Sequence, residues 1–289
     1  MNNIIETIKA GKNPVVVTDD ISSKKASYLI SPAEFLTPEL MAKIISVGKG
    51  IICAGLSYER AEVLGLAKMI GSSQGGKVAQ DSLVSVEARS GVSTGISAHD
   101  RATTLNTLAN TSTPRSDLLS PGHIFPVRAS RGGVLIRDTI WEAATDIMRL
   151  AGVKEVAAVV HLLNSSGELA NDDEVDAICS ENKWLRCRIS DVVEHRLRQE
   201  NVIERITETT LPLEGLGVFR TIAYRCNFDS SEHLALVYGD ISASDETLVR
   251  VQSEKRVNWI LDSAISPQKT MVHSALERIV AEGKGVFVM

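Results

Sequence analysis

The segment GISAHDRATT combines a helix start with residue types that suit an anion. Ser97 can cap the helix, and Asp100 three positions later completes an acidic variant of the capping box. Arg101 follows in the first turn, with hydroxyls at Thr103 and Thr104. Free backbone N–H groups and a guanidinium at a helix start are typical of a phosphate site. A capped surface helix with a solvated arginine explains the same pattern, so both interpretations stay open.

A histidine and a glutamate further along the chain are weaker candidates. His123 lies in SPGHIFPVRA, where prolines fix the backbone on both sides. A lone histidine is more often a hydrogen-bonded structural residue than a ligand. Glu142 begins the predicted helix IWEAATDIMRLAG, where the helix dipole stabilises a carboxylate whether or not it takes part in chemistry. Either side chain alone therefore indicates little about function.

Alternating strand and helix patterns must position these residues through the first two thirds of the chain. Strands are predicted at NPVVVTDD, GIICAGL, SLVSVEA and EVAAVVHLL. Helices are predicted from Thr37 to a stop at Gly48, after Ser57, over IWEAATDIMRLAG, and over DDEVDAICSENK. Later patterns predict a charged, exposed helix at SDVVEHRLRQENVIERI, the antiparallel pair GVFRTIAYRC and HLALVYGDIS, and a last helix at TMVHSALERIVAEGKG. The alternation indicates an α/β or α+β fold with a largely covered sheet.

Composition excludes several classes of protein. The 289 residues are 44% hydrophobic and 23% charged, with a net charge of −5 and a pI of about 5.8. An acidic chain argues against nucleic acid as the main partner, and no apolar run is near the roughly 20 residues that span a bilayer. The four cysteines have no paired spacing, so neither a disulfide framework nor a zinc site is predicted. We expect a cytoplasmic protein that binds neither nucleic acid nor membrane.

Taken in order, the segments GISAHDRATT, PGHIFPVRA and RGGVLIRDTIWEAATDIMRLAG resemble the 3,4-dihydroxy-2-butanone 4-phosphate synthase family over about residues 3–195. The resemblance implies an α/β homodimer, with a site near the subunit interface, that uses magnesium to convert ribulose 5-phosphate to the four-carbon phosphate and formate. Residues 206–289 resemble the N-terminal part of GTP cyclohydrolase II. We therefore predict a synthase-like sheet-and-helix domain at 1–200 and a smaller, truncated, mostly β cyclohydrolase-like domain at 206–289.

The loop after Asp19 and Asp20 departs from the family. The family's strand is followed by Glu-Asp-Arg-Glu-Asn-Glu-Gly-Asp, whose acids bind magnesium with the histidine and take part in enolisation, whereas this loop reads ISSKKASY. Lys24 stands in place of the metal-binding glutamate, and Tyr28 in place of the aspartate. Magnesium prefers carboxylate oxygens and an ammonium group repels it, so the departure implies a disrupted metal site. Lys24 and Lys25 either face an anion or are solvated.

Other family positions are partly retained and partly lost. The arginine that the family places on the substrate phosphate is Ser120 here, and a strand glutamate is His161. The zinc ligands of the cyclohydrolase family fall at Lys255, Ser266 and Gln268, which do not bind zinc. The retained positions are Asp100, Arg101, Thr103, Thr104, His123 and Glu142. We therefore predict a surviving phosphate cradle formed by the first four of these residues, and neither magnesium nor zinc as a cofactor.

Three functions are compatible with these departures. The first is a divergent paralogue of the bifunctional riboflavin-biosynthesis protein that lacks both activities and binds a small phosphorylated ligand or assembles with an active family member. The second is a repurposed enzyme for another phosphorylated substrate, with Lys24, Lys25, His123, Glu142 or His161 as its catalytic residues. The third is the original synthase. Because function depends on the site and not on the fold, we predict the first, and with it no detectable formate release.

Overall fold

The computed structural model describes residues 1–23, 25–69, 81–229, 231–241, 246–252 and 271–289. Within them the chain forms two compact units, Met1–Gln199 and Glu200–Met289. A mixed α/β unit is thus followed by a smaller unit built mainly of β-strands, which confirms the predicted fold class. No helix in the described ranges has the length and apolar character needed to cross a bilayer.

The first unit is built on a seven-stranded mixed sheet. Its strands are β1 (Val15–Asp19), β2 (Ala26–Pro32), β3 (Lys49–Leu56), β4 (Val86–Ala88), β5 (Leu118–Arg128), β6 (Val156–Leu162) and β7 (Arg186–Arg188). They lie in the order β4-β5-β3-β6-β2-β1-β7. The pairs β3–β5 and β1–β7 are parallel, and the other neighbours are antiparallel.

Helices cover both faces of this sheet. The helices are α1 (Asn2–Ala10), α2 (Pro38–Gly48), α3 (Tyr58–Leu64), α4 (Ala98–Ala109), α5 (Ile140–Leu150), α6 (Asp172–Asn182) and α7 (Ile189–Gln199). Apolar residues of α2, α3, α4 and α6 pack on one face, and those of α1, α5 and α7 pack on the other. Because helices cover both faces, β1, β2 and β6 are buried along almost their whole length.

The predicted helix starts are confirmed by their caps. The hydroxyls of Thr37, Ser57 and Ser97 each accept a hydrogen bond from the backbone N–H three residues later. A side-chain oxygen at this position satisfies one of the donors that a helix start leaves free. Local sequence therefore determines where these helices begin.

The predicted stop at Gly48 is confirmed, and one other boundary prediction was wrong. Gly48 is the last helical residue of α2, and Lys49 after it takes the left-handed conformation with φ 64°. A side chain at Gly48 would bring its Cβ to 2.7 Å from Val160 Cγ1, so close packing is the reason for glycine there. The helix predicted over residues 190–206 ends at Gln199, and a strand begins at Ile203. Val192 and Arg196 of that helix are buried, so it is not an exposed connector.

The second unit is a five-stranded sheet in the order β11-β12-β10-β9-β8, with one described helix. Its elements are β8 (Ile203–Leu213), β9 (Gly217–Cys226), β10 (Glu232–Tyr238), β11 (Leu248–Val251), α8 (Met271–Glu282) and β12 (Gly285–Val288). The predicted antiparallel pair is confirmed, since β9 and β10 pair over six registered positions from Arg225 and Glu232 to Arg220 and Val237. Phe219, Leu236 and Phe287 pack with α8 in a small apolar core.

Candidate functional site

The start of α4 is organised by the carboxylate of Asp100, which is only 2% exposed. Its Oδ2 accepts hydrogen bonds from Ser93 Oγ at 2.8 Å and from the Gly95 backbone N–H at 3.0 Å. Burial acts to raise the pKa of Asp100, but the hydrogen bonds from Ser93, Gly95 and Ser97 outweigh it and hold the pKa below its ordinary value. Asp100 therefore holds the turn before α4 in shape as a charged acceptor.

The other predicted phosphate-binding residues differ in how far protein groups already use their hydrogen-bonding capacity. Thr104 is fully buried, and its hydroxyl donates to the Asp100 carbonyl at 2.9 Å and accepts from the Ala88 N–H at 3.1 Å. Arg101 is half-buried, and its Nε makes no hydrogen bond within the described residues. Thr103 is also half-buried and lies beside Gly91. Arg101 thus has donor capacity left for an anion at this helix start.

His123 forms a close pair with a residue that sequence reasoning missed. Its Nδ1 contacts Glu87 Oε1, joining β5 to β4. Gly95 lies against this pair at φ +81°, and a Cβ there would come within 1.5 Å of Glu87 Oε1. Only glycine permits that approach. The signal that could have found Glu87 is a single carboxylate between the buried Val86 and Ala88 of a strand.

Three of the strands carry further titratable side chains on the same face of the sheet as His123. Tyr28 and His161 are register partners on β2 and β6, with ring centroids 4.5 Å apart. Cys53 of β3 is paired with Phe125 of β5, two residues after His123. Because side chains alternate along a strand, all of these point to one face, and His123 and His161 are separated by two strand spacings, or about 10 Å.

A cavity of about 430 Å³ opens on this face. Its lining is mainly apolar and comprises Gly50, Ile51, Cys53, Met69, Ser82, Leu83, Phe125, Pro126, Val127, Trp141, His161, Leu163 and Leu169. Burial raises the pKa of the Cys53 thiol to about 11, so at neutral pH it is protonated and a poor nucleophile. Burial lowers the pKa of His161, so its imidazole is neutral and can accept a proton. Among the lining residues His161 is therefore the proton acceptor.

Tyr28 lies next to this acceptor. Burial, followed by the charge of Asp19, raises the pKa of the Tyr28 hydroxyl to about 12. The phenol is therefore protonated at neutral pH and can act as a hydrogen-bond donor. The two rings give this part of the sheet one neutral acceptor and one neutral donor, where the resemblance implies two carboxylates.

Glu142 does not line the cavity. It is fully buried, and its Oε1 accepts hydrogen bonds from the Ser130 backbone N–H and from Arg137 Nε, each at 2.8 Å. Thr139 Oγ1 donates to the second oxygen. The neighbouring Trp141, by contrast, does line the cavity. Glu142 is thus held entirely by protein groups at the start of α5.

The two aspartates at the end of β1 and the lysine of the following loop also lie away from this cavity and contact other groups. Asp19 Oδ1 accepts from the backbone N–H groups of Ile21 and Ser22, and Asp20 accepts from Ser190. Lys25 is exposed and lines a separate polar cavity of about 610 Å³, with acidic and basic residues of β7, α6 and α7. Lys24 lies outside the described residues. The structure therefore places Lys25 apart from the cavity that holds His161.

The donor set does not fit a magnesium ion held as the resemblance implies. Across the described ranges no three histidine, cysteine, aspartate or glutamate side chains gather into a possible metal site. Glu87 and His123 are two such groups, and they contact each other. The positions expected to replace zinc ligands, Lys255, Ser266 and Gln268, lie outside the described residues.

Comparison with known proteins identifies the family. The family model for 3,4-dihydroxy-2-butanone 4-phosphate synthase matches residues 2–195. The chain belongs to this family. The model for GTP cyclohydrolase II matches residues 204–289, so the chain joins regions of both families, which confirms the predicted fusion.

The relatives span both units. Riboflavin biosynthesis protein RibBA of Salinispora arenicola is 39% identical over 279 residues, 96% of this chain and 66% of that protein. 3,4-Dihydroxy-2-butanone 4-phosphate synthase of Pseudomonas aeruginosa is 35% identical over 292 residues, 100% of this chain and 78% of that protein. The chain thus spans about two thirds to three quarters of the length of these relatives.

The fold is also similar to solved structures of 3,4-dihydroxy-2-butanone 4-phosphate synthases. The crystal structure of RibBX, a two-domain 3,4-dihydroxy-2-butanone 4-phosphate synthase from A. baumannii, has a TM-score of 0.80 and 27% identity, covering 98% of this chain and 87% of that one. A synthase structure in complex with two magnesium ions has a TM-score of 0.65 and 33% identity, covering 68% of this chain and 96% of that one.

These findings overturn one prediction. We expected a divergent paralogue that lacks both family activities and releases no formate, with a repurposed enzyme as the alternative. Relatives that are 35–39% identical over nearly the whole of this chain are named as riboflavin-biosynthesis proteins and as a synthase. The prediction of an inactive paralogue was wrong because it was based on lost side chains at a few positions. The whole-chain relationship outweighs that argument.

Proposed function

We propose that the first unit converts ribulose 5-phosphate to 3,4-dihydroxy-2-butanone 4-phosphate and formate, as a step of riboflavin biosynthesis. The observation that carries the proposal is the whole-chain relationship to proteins named for that pathway. The homodimer that the resemblance implies, and the cytoplasmic location, stay predictions. Light scattering of the purified chain tests the first of these.

The chain's own residues supply acid–base chemistry for such a reaction. Enolisation next to a carbonyl requires a base that removes a proton from carbon. His161 is a neutral acceptor in the cavity, and Tyr28 beside it is a donor. His123 lies two strand spacings, or about 10 Å, from His161 on the same face of the sheet. Glu87 orients the His123 imidazole through its contact with Nδ1.

The phosphate group of the substrate has a separate anchor. The start of α4 offers free backbone N–H groups, the positive end of the helix dipole, and Arg101 Nε without a protein partner among the described residues. Asp100 holds the turn that carries these groups. We therefore assign phosphate binding to this helix start, with Arg101 as its charged donor.

Formate and the four-carbon phosphate should form when purified protein is given ribulose 5-phosphate. Arg101→Ala should weaken binding of that substrate, measured by calorimetry, by about ten- to a hundredfold, because a charged hydrogen-bonding partner is lost. Arg198→Ala is the matched control, since Arg198 is 74% exposed on α7 and pairs only with the exposed Glu194 among the contacts described. Absence of formate from clean, folded protein would contradict the proposed function, and unchanged binding by Arg101→Ala would contradict the anchor.

We propose that no step of the reaction depends on a bound metal ion. Glu87 and His123 provide two ligands at most, and the expected zinc positions hold lysine, serine and glutamine. Purified protein should contain well below one zinc per chain by elemental analysis, and treatment with EDTA should leave formate release unchanged. Stoichiometric zinc would mean that the ligands lie elsewhere in the chain. Loss of activity with EDTA and recovery with magnesium would contradict the metal-independent site.

A further inference from the structure

The cavity has two walls that come from distant parts of the chain. Trp141 at the start of α5 forms one wall, and Ser82 and Leu83 form the other. The residues next to these walls, Glu142 and Asp81, are joined by a single arginine. We call the three residues Asp81, Arg137 and Glu142 the ion-pair chain.

At the inner end of the ion-pair chain Glu142 is fully buried, and Arg137 is half-buried. Arg137 donates to Glu142 Oε1 through Nε at 2.8 Å and through Nη2 at 2.5 Å. The same oxygen accepts from the Ser130 N–H, and Thr139 closes the far side of the carboxylate. This forked contact fixes Glu142, and with it the first turn of α5 that carries Trp141.

The outer half of the ion-pair chain reaches the opposite wall. Arg137 Nη1 donates to Asp81 Oδ2, a residue 56 positions away in sequence. The segment after Asp81 runs beside β5, where the Leu83 N–H donates to the Pro126 carbonyl at 2.9 Å. Asp81 Oδ1 also accepts from Arg128 Nη2 at 3.4 Å. The carboxylate of Asp81 is thus held at the end of the second wall.

We propose that Arg137 is a positioning residue that sets the distance between the Trp141 wall and the Leu83 wall of the cavity. The ion-pair chain lies behind the lining, because none of its three members is among the residues that line the cavity. Its role in turnover rests on the proposed function, whereas its effect on the walls does not.

The charge state of Arg137 agrees with this role. Burial acts to lower the pKa of the guanidinium, but hydrogen bonds and charges from Glu142 and Asp81 outweigh it and raise the pKa above its ordinary value. The group therefore stays cationic across the working range of the protein. A planar cation with donors on three nitrogens can hold two carboxylates at once, which a lysine cannot do with the same geometry.

The test uses Asp81→Asn, which releases the second wall and leaves the contact between Arg137 and the buried Glu142 in place. Trp184 and Trp259 are first replaced by phenylalanine, so that Trp141 is the single emitter. We expect greater acrylamide quenching of Trp141, and a KM for ribulose 5-phosphate raised by about tenfold with kcat nearly unchanged. A folding defect would instead lower the active fraction, and so the apparent kcat, without raising KM. Asp81→Glu should restore both readouts in part, since it keeps the charge.

Arg131→Gln is the matched control, because Arg131 is 71% exposed and contacts Glu59 and Tyr58 outside the ion-pair chain. The proposal is overturned if Asp81→Asn leaves both quenching and KM as in the parent protein, or if Arg131→Gln changes them equally. If the parent protein releases no formate, the proposed function has failed, and Trp141 quenching alone still decides whether the ion-pair chain positions the walls.

Discussion

Replacement of His161 by glutamine should lower kcat for formate release by about a hundredfold or more, the usual contribution of a general base. Among the residues that line the cavity, His161 is the proton acceptor, since the Cys53 thiol is protonated at neutral pH. Glutamine keeps polarity and similar size but cannot take a proton. Steady-state kinetics with ribulose 5-phosphate measures the effect, and KM should change much less than kcat.

The pH profile adds a second measurement. Burial lowers the pKa of His161 from its ordinary value of 6.5, so the imidazole remains unprotonated, and active as a base, below pH 6.5. The acid limb of kcat should therefore lie below pH 6.5 in the parent protein and should be absent in His161→Gln. His233→Gln is the control, because His233 is exposed in the second unit. If His161→Gln retains nearly full activity, the base lies elsewhere, and the Glu87–His123 pair becomes the next candidate.

The elements that sequence predicted best are those with local causes. Thr37, Ser57 and Ser97 cap helices through bonds to residues three positions away, and a short segment contains both partners. Residues 203–206 show the opposite case. Their charge pattern continues the preceding helix, but the segment pairs with β9, where Ile203 lies opposite Cys226. That partner is 23 positions away in the chain, so tertiary pairing overrode the local preference.

The candidate site was predictable only where its parts are local. The helix start at Ser97 and its arginine were found because both belong to one motif. Glu87 was missed because its partner His123 is 36 positions away. Glu142 was predicted to be catalytic from its place in a family motif, and only the structure shows the three protein groups that occupy its carboxylate. Partners of buried charges come from distant segments, and a single sequence does not record them.

Breaking the buried pair between Arg196 and Asp146 should destabilise the first unit by about 3–5 kcal/mol. Arg196 Nη1 donates to Asp146 Oδ2 at 2.8 Å and to the Gly132 carbonyl at 2.6 Å, and both side chains are under 5% exposed. The pair joins α7 to α5 and to the loop before it. Arg196→Met removes the cation and leaves Asp146 buried without its main partner. Urea unfolding, followed by circular dichroism, measures the loss.

Arg198→Met is the matched control, because the Arg198–Glu194 pair on the same helix is 74% and 59% exposed, and such pairs contribute at most about 1 kcal/mol.

The pH dependence of the free energy of unfolding separates the loss of a charge pair from the loss of packing. Burial is the largest influence on Asp146 and raises its pKa above 3.8, and the opposing charge of Arg196 acts to lower it. Without Arg196, the carboxyl of Asp146 therefore binds a proton still more tightly in the folded chain than in the unfolded chain. As a result, the free energy of unfolding of Arg196→Met rises as the pH falls towards the pKa that Asp146 has in the unfolded chain. The deficit of Arg196→Met should thus shrink between pH 7 and acid pH, where Asp146 is neutral. A deficit that is constant with pH would show that Arg196 stabilises the fold by packing and by its bond to Gly132, and not by its charge on Asp146.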